Sequence, residues 1–128
     1  INYSGIHRHS AYILQHTDLP GFSQEDQTLL AAMVRFQRKA LRLDGMPPLP
    51  SHDETTVLRC IRLLRLAVEL HHRRQDDLVP PLSASAEDDS ISLTLPESWC
   101  EANRLLMQNL EKEQRYCREM DWRLELLS

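Results

Sequence analysis

The stretch from Ser51 to Gln75, SHDETTVLRCIRLLRLAVELHHRRQ, decides the fold. Ser51 and Glu54 stand at the capping-box spacing that marks the start of a helix. The apolar positions that follow cover well over half of the helix circumference: Val57, Leu58, Cys60, Ile61, Leu63, Leu64, Leu66, Ala67, Val68 and Leu70. The remaining polar strip carries Arg62, Arg65, Glu69, His72 and Arg73. Because so wide an apolar face needs neighbours on several sides, we expect the central helix of a helical domain, with the earlier helices packed against it.

Length and composition bound the class of protein. The 128 residues suit one domain, or a domain with a small appendage. An apolar fraction of 41% is sufficient for a packed core, and no apolar run is long enough for a transmembrane helix. The 3 cysteines have neither metal-ligand nor redox spacing, which favours reduced thiols in the cytoplasm. The chain opens on Ile1 and not on Met, so we expect a piece of a longer polypeptide.

The two parts of the chain differ in charge. Residues 1–75 hold ten Lys and Arg against seven Asp and Glu, a net charge of +3. Residues 76–128 hold five Lys and Arg against twelve Asp and Glu, a net charge of −7. An asymmetry of this kind is compatible with a polyanion-binding first part.

Two shorter helices precede the central one. The apolar residues of Ile6–Gln15 predict a short helix, and the Pro-Gly pair within Asp18–Phe22 predicts a turn. Ser23 is placed to cap a second helix, which we expect to run to about Leu43 and to stop at the Asp-Gly pair that follows.

Four cations are expected on one face of that second helix: Arg35, Arg38, Lys39 and Arg42. They stand at i, i+3, i+4 and i+7, and no acidic residue lies among them. Four like charges on one face repel one another, and two interpretations remain open. Either the face is solvated or it binds a polyanion.

The period of the pattern changes after Asp76–Pro81, which we interpret as a boundary. Alternation over 82–86 and 91–95, around a polar turn at 87–90, predicts a β-hairpin with one buried face. A last helix is expected to start at Ser98, with Glu101 at capping-box spacing. Its apolar stripe is Trp99, Ala102, Leu106, Leu110 and Cys117, and its outer face is charged: Glu111, Lys112, Glu113, Arg115 and Arg118. Alternation over 122–126 predicts a closing strand, so we expect a compact ββαβ unit.

Six runs carry a family resemblance; in chain order they are HSAYIL (9–14), LPGF (19–22), VRFQRK (34–39), RLLRLA (62–67), RRQDD (73–77) and LTLP (93–96). Together they resemble the C-terminal region of the exopolyphosphatase / guanosine pentaphosphate phosphohydrolase (Ppx/GppA) family. The first forty residues lean toward the exopolyphosphatase branch and the middle stretch toward the pentaphosphate phosphohydrolase branch. We take exopolyphosphatase as the closer match.

The resemblance implies a mostly α fold with a small α+β cap. It identifies residues 1–78 with the second half of an HD-like helical domain and residues 79–128 with the small C-terminal ββαβ domain. In the parent protein, a pair of N-terminal actin-like domains would hold the catalytic carboxylates, the phosphate-cradling loops and Mg²⁺. We therefore expect no catalytic residue, metal or cofactor in this chain.

The resemblance further implies an accessory role in a cytoplasmic exopolyphosphatase, with peripheral association at the inner membrane as an alternative location. The role would be polyphosphate binding, processivity and dimerisation. Expected partners are inorganic polyphosphate, the protein's own N-terminal catalytic domains and a second copy, but not nucleic acid. The candidate polyphosphate-binding residues are Arg35, Arg38, Lys39, Arg42, His7, Arg8, His9, Arg62, Arg65 and Arg73.

Three alternatives remain. The same region could belong to a guanosine pentaphosphate phosphohydrolase, or it could be a purely structural dimerisation module. The third is an independent metal-dependent HD phosphohydrolase. Against it stand Gln37, where exopolyphosphatases often have His, and the spacing of His7, His9, His71 and His72, which is not that of metal ligands on one helix face.

Overall fold

The computed structural model describes residues 3–37, 46–71 and 82–128, and the side chains from His9 onward. The elements in chain order are α1 (Tyr3–His16), α2 (Gln24–Arg35), α3 (Glu54–Leu70), β1 (Ser83–Glu87), β2 (Ser90–Thr94), α4 (Glu97–Ala102), α5 (Arg104–Glu119) and β3 (Arg123–Leu127). This confirms the predicted fold class, mostly helical with a small sheet. The chain packs as two compact units, Ile1–Arg65 and Leu66–Ser128. The predicted domain boundary after residue 78 lies outside the described residues.

A tight turn joins the first two helices, as the Pro-Gly pair predicts. The N–H of Phe22 donates to the carbonyl of Leu19 at 3.1 Å, and Gly21 has a φ of 88°. These are the features of a type II turn, whose third position needs a positive φ that glycine adopts without strain. Ser23 then caps α2 in a capping box with Asp26, which confirms the predicted start of the helix.

The packing of α1 on α2 rests on small side chains and one buried amide. Ala11, Ala31 and Ala32 are buried, which lets the two helices approach closely. Gln27 is also buried, and its amide nitrogen donates to the carbonyls of Leu14 and Thr17 at the end of α1. A side chain of α2 thus satisfies carbonyl groups that the end of α1 leaves without a helical partner.

The predicted extent of α2 is wrong. The helix ends at Arg35, not near Leu43, and Phe36 forms its C-cap with a φ of −101° and a ψ of 13°. Phe36 is buried, and its carbonyl accepts a hydrogen bond from Arg65, so tertiary contacts stop the helix before the Asp-Gly signal in the sequence. Residues 38–45 lie outside the described part of the chain.

The predicted capping box at the start of α3 is also wrong. The helix begins at Glu54, and the residue before it makes the cap: the carboxylate of Asp53 accepts from the N–H of Thr56 at 3.2 Å. The backbone of Ser51 instead donates to the carboxylate of Glu25 at 2.6 Å. Ser51 and Asp53 are both residue types that cap helices. Because Ser51 is bonded to Glu25 of α2, Asp53 caps α3.

The faces of α3 do not follow hydropathy. Val57, Ile61 and Leu66 are buried as expected, but Leu63 is 59% exposed and Cys60 is exposed as well. The predicted polar strip is wrong at two positions, because Arg62 is 4% and Arg65 is 1% exposed. Each long arginine stem adds apolar contact area, and the guanidinium of Arg65 finds a carbonyl partner at the end of α2.

The second unit has the predicted order of hairpin, helical segment and closing strand, although two helices, α4 and α5, replace the single predicted helix. Strand β2 lies in the centre of a three-stranded sheet, antiparallel to β1 and parallel to β3. The hydrophobic core of the second unit contains Leu66, Ile91, Leu93, Leu95, Leu110, Cys117 and Leu124. The buried face predicted for the hairpin exists only on β2, because every residue of β1 is exposed.

The last helix is broken in two, which the sequence pattern did not predict. Helix α4 starts after Pro96 without a side-chain cap, so the capping box expected between Ser98 and Glu101 is wrong. Asn103 interrupts the helix, and its amide donates to the carbonyl of Trp99 at 2.9 Å. In α5, Glu113 is buried and not on the charged outer face. None of the described helices combines the length and the apolar character that a membrane crossing requires.

Candidate functional site

Arg35 is the described member of the predicted cationic face. It is half-buried at the last position of α2, and its guanidinium carbon lies 5.4 Å from the ring centroid of Phe36. A cation at this distance from an aromatic face is attracted by the electrons of the ring. Arg38, Lys39 and Arg42 lie outside the described residues, so the arrangement of the four cations stays a prediction.

Arg35 also lines a groove of about 270 Å³ in the first unit. Tyr12 and His16 form one wall, with their ring centroids 4.4 Å apart and their planes tilted by 47°. Gln15 and Thr28 lie in the same groove and are joined by a 3.0 Å hydrogen bond. Sequence reasoning overlooked this groove, although the i, i+4 spacing of Tyr12 and His16 places the two rings on one helix face.

Arg65 contacts the backbone of Phe36, whereas Arg35 contacts its ring. Its Nη1 donates to the carbonyl oxygen of Phe36 at 2.8 Å, one residue beyond the end of α2. The negative end of the α2 dipole and the carbonyl groups at the end of a helix both favour a cation at this point. Arg65 therefore fixes the backbone at the point where the chain enters the basic segment that contains Arg38, Lys39 and Arg42.

The remaining candidates are dispersed. Arg62 is buried in α3, whereas His9 is exposed on α1. The side chains of His7 and Arg8, and all of Arg73, lie outside the described residues. Within the described part of the chain, Arg35 and Arg65 both contact Phe36, Arg35 at its ring and Arg65 at its carbonyl oxygen. In the same part, no three His, Cys, Asp or Glu side chains are grouped as metal ligands.

One carboxylate in the first unit has a shifted pKa. Hydrogen bonds from the hydroxyl and then the backbone N–H of Ser51 hold the pKa of Glu25 below its ordinary value of 4.5. His52 adds an attraction of the same sign, and its Nε2 lies 3.9 Å from the carboxylate of Asp26. The acidic first turn of α2 is thus tied to the segment that precedes α3, and it serves the fold and not phosphate binding.

Comparison with known proteins assigns the family. The model of "Ppx/GppA phosphatase, domain III" matches residues 1–114. The chain belongs to the Ppx/GppA family. This confirms the resemblance carried by the six short runs, and it identifies the chain with the third domain of that family.

The Ppx/GppA relatives are much longer proteins. A "Guanosine-5'-triphosphate,3'-diphosphate pyrophosphatase" of Vibrio campbellii is 38% identical over 120 residues, which cover 94% of this chain and 24% of the relative. Proteins of the same name match from Vibrio cholerae, at 39% over 118 residues, and from Pseudoalteromonas translucida, at 32% over 124 residues. These matches cover 92% and 97% of this chain but only 23% and 25% of the relatives. The chain thus spans about a quarter of their length.

Proposed function

We propose that this chain is the accessory C-terminal region of a phosphohydrolase that acts on guanosine 5'-triphosphate,3'-diphosphate. The observation that carries the proposal is the agreement with relatives of that name over nearly the whole chain. The preference for an exopolyphosphatase, drawn from the first forty residues, gives way to the branch that was its alternative. Catalysis and Mg²⁺ belong in this proposal to the N-terminal domains of the parent protein.

The contribution of this chain is to hold the phosphate groups of the substrate. Arg35, Arg38, Lys39 and Arg42 place four cations within eight residues without an acidic neighbour. Guanidinium and ammonium groups bind phosphate oxygens through charge-assisted hydrogen bonds, and the attraction is weakened by salt. Arg65 acts as a positioning residue, because it fixes the carbonyl of Phe36 at the start of this segment.

Inorganic polyphosphate is the second candidate ligand, and the same segment supports it. A run of cations in the sequence suits a repeating chain of phosphates at least as well as a nucleotide with a triphosphate and a diphosphate at different ribose positions. A polyphosphate-binding region would also favour processivity in the intact enzyme. Dimerisation and a cytoplasmic location are part of this second proposal.

A titration of the 128-residue chain with each ligand tests both proposals. It is done at about 50 mM and about 200 mM salt, because several phosphate contacts weaken binding by about tenfold or more over that range. The first variant changes Arg35, Arg38, Lys39 and Arg42 to Ala. The control variant removes four exposed cations from α5 instead: Arg104, Lys112, Arg115 and Arg118.

Binding of the nucleotide that is lost in the first variant and kept in the control supports the pentaphosphate branch. Tighter binding of polyphosphate with the same dependence on the four cations supports the second candidate. If the wild-type chain binds neither ligand, or if both variants lose binding equally, the basic segment has no phosphate-binding role and the region is a scaffold.

A further inference from the structure

The two outer edges of the sheet in the second unit differ in whether other residues bond to their backbone groups. At the β3 edge, the amide of Gln114 in α5 donates to the carbonyl of Leu124 at 2.9 Å. A side chain therefore occupies part of that edge. At the β1 edge, no described residue pairs with the outer side of the strand, and all five residues are exposed. An exposed edge of this kind offers backbone donors and acceptors to another strand.

The hydrogen-bond pattern identifies the groups that β1 presents outward. The carbonyl of Asp89 and the N–H of Leu95 bond to β3, through Arg123 and Leu127 respectively, so the odd-numbered residues of this strand direct their backbone groups toward β3. The even-numbered residues therefore face β1, where Ser90, Ser92 and Thr94 pair with Glu87, Ser85 and Ser83. It follows that Ala84 and Ala86 direct their N–H and C=O groups to the outer edge.

Only Glu87, at the end of β1, belongs to the residue types that protect an exposed edge. Proteins commonly protect an exposed strand with Lys, Pro or a bulge, and Ser83–Glu87 (SASAE) contains neither residue and pairs with β2 in unbroken register. Four of its five side chains are small, so they leave room for the side chains of an additional strand.

The two faces of the sheet specify what kind of strand would fit. On one face, Ala84 and Ala86 continue the row of the buried residues Leu93 and Ile91, yet both alanines are exposed. An added strand would gain apolar contact there. The opposite face forms a hollow of about 550 Å³ whose charged lining is Glu87, Asp88, Asp89, Asp121, Glu125 and Arg123. Carboxylates dominate this lining, which favours Lys or Arg on the second face of the added strand.

We propose that β1 docks an extended segment of a partner protein in which apolar residues alternate with Lys or Arg. The segment adds a fourth strand to the sheet by pairing with Ala84 and Ala86. Backbone hydrogen bonds supply affinity, and the alternating side chains supply specificity through the apolar row on one face and the acidic hollow on the other. This interaction is independent of the phosphate-binding role proposed above.

The test uses a synthetic peptide of about eight residues that alternates valine and lysine. We expect it to bind the 128-residue chain, to bind less tightly as salt rises, and to slow amide hydrogen exchange at Ala84 and Ala86. A peptide that alternates valine and glutamate should bind at least about tenfold more weakly, because it brings like charges to the hollow.

Two variants at one position separate edge pairing from other modes of binding. Ala86→Pro removes an outward N–H and leaves the ladder to β2 intact, so it should weaken binding of the lysine peptide about tenfold or more. Ala86→Ser is the matched control that keeps the N–H, and it should bind as the wild type does. The unfolding midpoint of each variant confirms that the sheet is formed.

Three results would overturn the proposal. The first is equal binding of the lysine peptide by a folded Ala86→Pro variant. The second is absence of binding by the wild type. The third is concentration-dependent self-association of the wild type that Ala86→Pro abolishes, because the occupant of the edge is then a second copy of β1.

Discussion

Arg65 is one of the most deeply buried side chains of the described chain, and it gains a hydrogen bond to the carbonyl of Phe36 at 2.8 Å. Leu63, two residues earlier in the same helix, is 59% exposed. On α3, therefore, a charged residue contributes more to the fold than a neighbouring leucine does. The reason is the end of α2, where carbonyl groups need donors that no aliphatic side chain can provide.

This contrast predicts the effect of two substitutions on stability. Arg65→Ala leaves the carbonyl of Phe36 without its donor and opens a cavity, so the free energy of unfolding should fall by about 2–4 kcal/mol. Leu63→Ala should change it by less than about 0.5 kcal/mol, because the side chain is exposed. Urea unfolding of both variants measures the difference. Equal losses in the two variants would contradict the assignment of Arg65 as a buried contact.

The segment before α3 is fastened to the first turn of α2 by Ser51, which donates to Glu25. Because this bond favours the ionised carboxylate, the pKa of Glu25 is lower in the folded chain than its ordinary value of 4.5. The contribution of Glu25 to stability is therefore complete above pH 4.5 and is lost as the pH falls through the lowered pKa.

Ser51→Ala should raise the pKa of Glu25 toward its ordinary value, since the hydroxyl is the largest cause of the shift. A carbon-detected NMR titration of the Glu25 carboxyl measures this change. Asp53→Ala is the control, because Asp53 caps α3 and is not among the groups that shift the pKa of Glu25. An unchanged Glu25 pKa in Ser51→Ala would exclude the hydroxyl as the cause.

At the level of the elements, local signals predict some boundaries and miss those that depend on contacts from elsewhere in the chain. The Ser23 cap, the Pro-Gly turn and the sequence of hairpin, helical segment and closing strand follow from neighbouring residues and are confirmed. The end of α2 depends on Arg65, which lies 29 positions from its partner Phe36 in the sequence. The break at Asn103 likewise escapes periodicity, because an amide bonded to the carbonyl of Trp99 replaces a helical contact.

The candidate site was predictable only in part, for the same reason. A run of four cations is visible in the sequence. Membership of a phosphatase family makes this run a candidate phosphate-binding segment. Spacing on an assumed straight helix could not show that Arg62 and Arg65 are buried, nor that Tyr12 and His16 lie beside Arg35. These facts depend on the packing of α1 on α2 and on the hydrogen bond between Arg65 and Phe36, which are distant in sequence.

At the scale of the whole molecule, the chain corresponds to about a quarter of its relatives, so its role is best tested in a complete enzyme. In the Vibrio cholerae relative, removal of the matching quarter should raise the KM for guanosine 5'-triphosphate,3'-diphosphate. Replacement of that quarter by this chain should restore the original KM. Changing Arg35, Arg38, Lys39 and Arg42 to Ala in the chimera should raise KM about tenfold and change kcat less than about twofold.

Steady-state kinetics on the nucleotide and on polyphosphate give both values. A chimera whose kcat falls while its KM is unchanged would contradict a role in substrate binding. The α5 control variant, with Arg104, Lys112, Arg115 and Arg118 changed to Ala, should match the unaltered chimera.

The parallel pairing of β2 with β3 sets the order of events while the chain is being synthesised. Hairpins such as β1–β2 form within about 1–10 microseconds. Ile91 can pair with Leu124 only after the whole of α4 and α5 has left the ribosome. Until then the central strand has one edge and part of its apolar face uncovered. A ribosome that stalls within α5 would release a chain with an incomplete sheet, which proteases and chaperones can distinguish from the finished product.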